Sequence, residues 1–330
     1  MTNPSFSIVV PTFRRQEALR RTLASLLALD YERSRYEVIV VDDGADDVTV
    51  EILGEFQDQS VELSLEVQAH HGAARARNRG ARRARGDLLL FVDDDIVVEP
   101  DHLRRHRMSR DRHGDVLVNG AWEFTPEVLL ALRSTPFGRF RIDLERRFQN
   151  EAAGERLSDG CVEMALLGSW DLALRRELFW EIGGFDEQFP VAGAEDQDFS
   201  LRARAAGCRL LLDTGIRCRH NDDRLSLRSY CAREERSAQT MPFLARKYPL
   251  EFGEVPYVLE NRPIAREDGT GLIVKKLLKR ALANGAILEI LHRLTTLLEG
   301  ARVQERLLRR AYQPLLGLHL FRGFRRGWER

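Results

Sequence analysis

Three consecutive carboxylates, Asp93-Asp94-Asp95, close a run of five apolar residues, Leu88-Leu89-Leu90-Phe91-Val92. Clustered carboxylate oxygens suit a hard cation such as Mg2+ or Mn2+, which pairs one or two carboxylates with the phosphates of a substrate. Solvated turns are also rich in aspartate, so the triplet gains its meaning from its companions. A second acidic pair, Asp42-Asp43, ends another apolar run, Val38-Ile39-Val40-Val41, and is followed by Gly44. A third, Glu195-Asp196, opens a segment of helical pattern, where acids also act as caps and partners of the helix dipole. His220 stands alone, and a lone histidine reads first as structural. His102 and His106 stand four apart among Arg104, Arg105 and Arg107, which would repel a cation, and read as surface residues.

The elements around these acids follow from their patterns. An apolar run without alternation is a strand buried on both faces of a parallel sheet. Three adjacent charges cannot continue into that core, so they emerge at the strand's carboxyl end, where open α/β sheets bind ligands. Phe6-Ser7-Ile8-Val9-Val10 is a further strand, stopped by Pro11; Thr12-Phe13-Arg14-Arg15 turns into a helix through Leu19, Leu23, Leu26 and Leu27. Two such strands joined by a helix form a βαβ unit with both tips on one edge of the sheet. Residues 61–67 alternate as a half-exposed or edge strand does.

Six arginines fall within residues 75–85, an alanine-rich helix before Gly86. They read as a solvated basic face, with room for one arginine to approach a ligand phosphate. No aromatic residues interleave them as in a single-strand nucleic-acid groove. Val116-Leu117-Val118 is another short strand, and residues 123–159 read as loops and short helices. Residues 210–213 and 216–220 read as two closing strands, followed by a helical segment over 224–247.

The 330 residues, 43% hydrophobic and 31% charged, describe a globular chain of one broad domain with an appendage, or of two domains. Net charge is zero but uneven: residues 271–330 hold 13 Lys/Arg and 4 Asp/Glu, a net of +9, leaving −9 on the first 270. In this tail Ile287, Ile290, Leu291, Leu294, Leu297, Leu298 and Ala301 follow helical spacing amid basic residues. That is either a packed helical hairpin or a basic amphipathic element lying on an anionic membrane. Cys161, Cys208, Cys218 and Cys231 show no C-x-x-C spacing, so the expectation is a reducing compartment and no zinc. No signal peptide is read at the start, and no run approaches the ~20 apolar residues of a membrane span. The expected location is the cytoplasm, with a peripheral seat on the inner membrane face left open.

In order along the chain, these blocks resemble the family 2 glycosyltransferases. Ile8-Val9-Val10-Pro11-Thr12-Phe13-Arg14 is similar to that family's opening strand and nucleotide-contacting turn, and Val40-Val41-Asp42-Asp43-Gly44 to its base-recognising block. Ala76-Arg77-Asn78-Arg79-Gly80 resembles the helix before the central strand, and Phe91-Val92-Asp93-Asp94-Asp95 the D-x-D block. Asp171-Leu172-Ala173-Leu174-Arg175-Arg176, Ile182-Gly183-Gly184-Phe185-Asp186 and Glu195-Asp196 resemble the acceptor-side segment and the catalytic acidic pair.

The resemblance, covering about residues 6–250, implies an α/β GT-A fold: a Rossmann-like, mixed, mostly parallel sheet flanked by helices. It divides the chain into a nucleotide-sugar-binding half (1–118), an acceptor and catalytic-base half (119–222) and a C-terminal helical region (223–330). It implies inverting, metal-dependent transfer from a nucleotide sugar, UDP favoured, to a saccharide, lipid-linked or small-molecule hydroxyl. Pro11, Thr12, Arg14, Asp42, Asp43, Arg77, Asp93 and Asp94 would meet the nucleotide. Asp95, Asp93 and His220 would hold Mn2+ or Mg2+. Asp196, beside Glu195, would be the base, which overrides the capping reading of that pair. Asp171 stands where the family commonly has asparagine. The Q-x-x-R-W motif of processive synthases is absent, which argues for transfer of one or a few sugars. Rival readings are a sugar-phosphate nucleotidyltransferase, which expects a glycine-rich loop that residues 6–20 lack, and a non-catalytic scaffold.

Overall fold

Each apolar run that ends in an acid is a buried strand. The computed structural model describes residues 6–45, 47–56, 61–151, 154–189, 191–222, 224–301 and 303–330. The expectation of no targeting segment bears in part on residues 1–5, outside the described residues. Ten strands share one sheet: β1 (Phe6–Thr12), β2 (Tyr36–Asp42), β3 (Glu62–Val67), β4 (Leu88–Val92), β5 (Ile96–Val98), β6 (Leu117–Phe124), β7 (Glu155–Arg156), β8 (Val162–Glu163), β9 (Asp171–Arg175) and β10 (Leu210–His220). The order is β3-β2-β1-β4-β9-β6-β10-β8-β7, with β5 on β10. β3, β2, β1 and β4 are parallel; β9 runs antiparallel between β4 and β6. Thr12 pairs with Asp42, and Val9 with Phe91, so the turn after β1, the Asp42-Asp43 pair and the aspartate triplet leave the sheet along one edge.

Helix Ala73–Arg83 lies across this half of the sheet on its smallest residues. A Cβ on Gly80 would stand 2.3 Å from Cγ1 of Val9 and 3.1 Å from Cγ2 of Val41. Glycine therefore sets how closely the helix approaches β1 and β2. Arg75, Arg79, Arg82, Arg83 and Arg85 do form a solvated face, paired with Glu187, Glu66, Glu37 and Glu62. Arg77 departs from that reading: it points inward and is 4% exposed.

Four expectations are corrected. His102 and His106 are buried, not surface residues: helix His102–His113 turns His102, Leu103, His106 and Ser109 inward and its arginines outward. Both Nε2 atoms meet the Asp171 carboxylate, at 2.8 and 3.2 Å, and Gly120 N and Cys218 Sγ donate to its second oxygen at 3.0 Å each. Burial opposes the charge of Asp171, but the two histidines hold it well below the usual carboxylate range. The acid at the asparagine position is thus a buried hub joining β9, β6, β10 and this helix.

The two closing strands are one, β10, whose register on β6 shifts between Asp213 and Arg217, absorbing Thr214, Gly215 and Ile216 as a bulge. Residues 126–151 are also more ordered than expected, forming helices Pro126–Ser134 and Pro136–Glu151. The inward spacing of Phe137, Phe140 and Leu144 is helical; the charged residues between them obscured it.

The chain divides into two compact units, one of residues up to 125 with 149–188 and 195–222, the other of 126–148, 189–194 and 223–330. The second unit is helical, with Phe137, Phe140, Tyr230, Leu288, Leu308 and Tyr312 in its core. Its tail has three helices rather than a hairpin, Thr270–Leu282, Gly285–Gly300 and Glu305–Trp328. None of the described helices is long and apolar enough to cross a membrane.

Candidate active site

The turn after β1 is strained. Arg14 has φ of 53°, a left-handed conformation that side chains other than glycine adopt at a cost. That turn sends Arg14 outward beside the Phe13 ring and Arg15 inward to the triplet. Arg15 Nη1 donates to Asp94 at 3.0 Å and to Asp95 Oδ2 at 2.6 Å, and Thr12 Oγ1 donates to Asp94 at 2.7 Å. Burial raises the Asp94 carboxyl to about 7, opposed by Arg15 and assisted by Asp95. Asp94 is enclosed, and with Thr12 it braces the turn.

β10 delivers His220. Asn221 N donates to the Asp95 carbonyl at 2.7 Å, and His220 Nε2 lies 3.0 Å from Asp95 Oδ2. Burial works against the charge on Asp95, yet His220 and Arg15 hold its carboxyl far below the ordinary range. An ionised carboxylate beside an imidazole nitrogen is a donor set that fits a divalent cation, and Arg15 holds positive charge there already.

Asp93 is the most open of the triplet, with its side chain 34% exposed. One of its oxygens accepts from Arg77 Nη2 at 2.7 Å, while Arg77 Nη1 donates to Glu195 at 3.0 Å. Burial opposes the guanidinium's charge, but Asp93 and Glu195 keep its pKa above the ordinary value. Glu195 and Asp196 open helix Glu195–Ala205. Asp196 is half-buried; burial first, then Glu195, raise its carboxyl to about 7 against the pull of Arg77.

The second acidic pair behaves differently. Asp43 accepts from Gln68 Nε2, His71 N, Gly72 N and His70 Nδ1 between 2.7 and 2.9 Å, so it ties down the loop before helix Ala73–Arg83. Asp42, 1% exposed, caps Gly44 N at 2.9 Å. Phe13 and His70 stack at 4.0 Å with their planes 17° apart. Pro11 is partly buried within β1 and pairs with Val41. Sequence reasoning missed Arg15, Phe13 and His70; the signals available were the second arginine of Thr12-Phe13-Arg14-Arg15 and the aromatic after Thr12.

Residues 7–167, nearly half the chain, match the family described as Glycosyl transferase family 2. The validoxylamine A glucosyltransferase of Streptomyces hygroscopicus subsp. limoneus is 25% identical over 288 residues, 79% of this chain and 60% of that protein. This chain thus spans about three fifths of that relative's length. The mannosyltransferase PcManGT from Pyrobaculum calidifontis, in complex with GDP-Man and Mn2+, superposes with a TM-score of 0.65 at 18% identity, covering 100% of this chain and 89% of that one. S. aureus TarS 1–349 in complex with UDP-GlcNAc gives 0.51 at 17% identity, covering 98% and 90%.

Proposed function

We propose that this chain, which carries a glycosyl transferase family 2 domain on the GT-A fold, moves a sugar from a nucleotide-sugar donor to a hydroxyl of a saccharide, lipid-linked glycan or small-molecule acceptor. The observation that carries the proposal is Arg77, which ties Asp93, on the edge that would hold the diphosphate, to Glu195, next to the proposed base. Two carboxylate sites with opposite duties are thereby fixed to one group.

In the proposed reaction Asp196 takes the proton of the acceptor hydroxyl as its oxygen bonds to the anomeric carbon. The bond from that carbon to the diphosphate oxygen breaks on the opposite face, its electrons leave with the nucleoside diphosphate, and the anomeric configuration inverts. Asp95 and His220, with Asp93, would hold the cation; when bound, it offsets charge developing on the diphosphate. A mixed oxygen and nitrogen donor set fits Mn2+ better than Mg2+, which keeps to oxygen. Asp42 or Asp43 would meet the base, on the edge where Phe13 and His70 stack, with Arg14 reaching the nucleotide from the strained turn. Thr12, Pro11 and Asp94 shape that turn, and Arg15 balances the triplet when no cation is bound.

The helical unit adds a second element. Val274, Leu277, Leu278 and Leu282 on one helix, and Ile290, Leu294, Leu297 and Leu298 on the next, lie exposed at helical spacing. With Arg280, Arg306 and Arg310 exposed nearby in sequence, this supports the reading of a peripheral seat on anionic lipid.

The test is release of nucleoside diphosphate from a panel of UDP- and GDP-sugars with mixed saccharide and lipid-linked acceptors. Acceptor-stimulated release from one donor, lost in Asp196→Asn, is expected. Equal release by wild type and Asp196→Asn would overturn the assignment of the base. No release from any donor would favour a binding or scaffold role.

A further inference from the structure

The helical unit contains a cluster that the proposed transfer leaves unused. Cys231 lies on helix Leu227–Ser237, His292 on Gly285–Gly300 and His319 on Glu305–Trp328. The two imidazoles face each other, Nε2 to Nε2, at 3.0 Å. One ligand atom from each of the three side chains lies within 4.8 Å of the others, and all three are buried.

Glu235, one helical turn beyond Cys231, decides the tautomer of His319. Its Oε2 stands 2.6 Å from His319 Nδ1, and its Oε1 accepts from Arg326 at 2.6 Å and lies 3.2 Å from Arg322 Nε. An ionised carboxylate only accepts, so the proton of His319 sits on Nδ1 and the lone pair of Nε2 faces His292. A carboxylate that fixes an imidazole in this way is the usual outer partner of a metal-bound histidine. The arginines balance the charge of Glu235, so no unpaired anion is left in the core.

We propose that Cys231, His292 and His319 form a transition-metal site of the Zn2+ class, in which one thiolate and two imidazole nitrogens bind the ion. Nitrogen and sulfur donors exclude Mg2+ and Ca2+ and suit Zn2+. Binding releases the Cys231 thiol proton to solvent and moves the proton of neutral His292 to Nδ1. Water can take the fourth position. Each ligand comes from a different helix, so the ion ties three helices together. That is also why cysteine spacing gives no sign of it: no two ligands are local in sequence. The rival is a plain hydrogen-bonded chain from His292 through His319 to Glu235.

The full chain, stripped with chelator and titrated with Co2+ alone, tests this. One thiolate-to-cobalt charge-transfer band per chain is expected, displaced by Zn2+. It should persist in Cys218→Ser and Cys161→Ser, which remove the thiols beside the other two histidine clusters, and disappear in Cys231→Ser. His292→Asn provides the same reading should Cys231→Ser fail to fold. Zn2+ should raise the melting temperature of wild type by several degrees more than that of either variant. A wild type without the band, or a band undiminished in Cys231→Ser or His292→Asn, would overturn the proposal.

Discussion

Asp93 and Glu195 hydrogen-bond to the same guanidinium, that of Arg77, at 2.7 and 3.0 Å. A lysine is a single compact charge and cannot serve both partners with the geometry of the fork. Arg77→Lys should lower turnover about tenfold to a hundredfold through misplacement of the two carboxylates. Arg77→Ala takes the guanidinium away from buried Glu195 and from the more open Asp93, a loss of up to about 3–5 kcal/mol, and should lower the melting temperature. Thermal melts read beside a transfer assay separate the two effects.

Asp196 gives a pH dependence in two directions. Burial and Glu195 raise its carboxyl to about 7, and a base works only when ionised, so kcat/KM should rise with pH up to about 7 and level off above it. For stability the sign is opposite. The folded value lies above the unfolded value of about 3.9, so the stability from this group is present below pH 4 and lost as pH rises through about 7. Asp196→Asn should therefore melt higher than wild type at pH 8, and no higher at pH 4, while its turnover falls about 10²- to 10⁴-fold.

The contact of Gly80 with Val9 leaves no room for a methyl group, since a Cβ would stand 2.3 Å from a branched, stiff side chain. Gly80→Ala should cost about 1–3 kcal/mol of stability by overpacking. Denaturant titration reads this directly. An unchanged midpoint would mean that the helix is free to slide on the sheet.

The exposed leucines of the tail predict sedimentation with vesicles of anionic lipid, weakened by salt. The double variant Leu277→Glu, Leu294→Glu should remain in the supernatant. Equal binding to neutral vesicles would leave the basic residues without a role, and no sedimentation would remove the membrane reading.

β2 and β4 were legible because their apolar runs stop at carboxylates, and an acid that cannot enter the core marks where a strand must end; β1 was legible from its β-branched run alone, and it continues through Pro11 to Thr12. The edge position of β3 was legible from its alternation. His102 and His106 were misread because the arginines beside them in sequence face the other way on the helix; four-residue spacing put both histidines on the buried face with Ser109. β10 looked like two strands because Thr214-Gly215 carries turn chemistry that the sheet absorbs as a bulge. Of the site, residue types and order were readable, but partners were not. That Asp43 is filled by a loop some 25 residues on, or that Arg77 joins two acids, is a fact of tertiary distance.

In the proposed reaction Asp95 and His220 would bring a cation to a nucleoside diphosphate on this edge of the sheet. Calorimetric titration of the full chain with UDP and with GDP, each with and without Mn2+, tests it most directly. One nucleotide should bind at least tenfold more tightly with Mn2+, and Asp95→Ala and His220→Ala should each remove that gain while leaving the melting profile folded. Binding that is the same with and without Mn2+, or a gain that survives in Asp95→Ala, would contradict it.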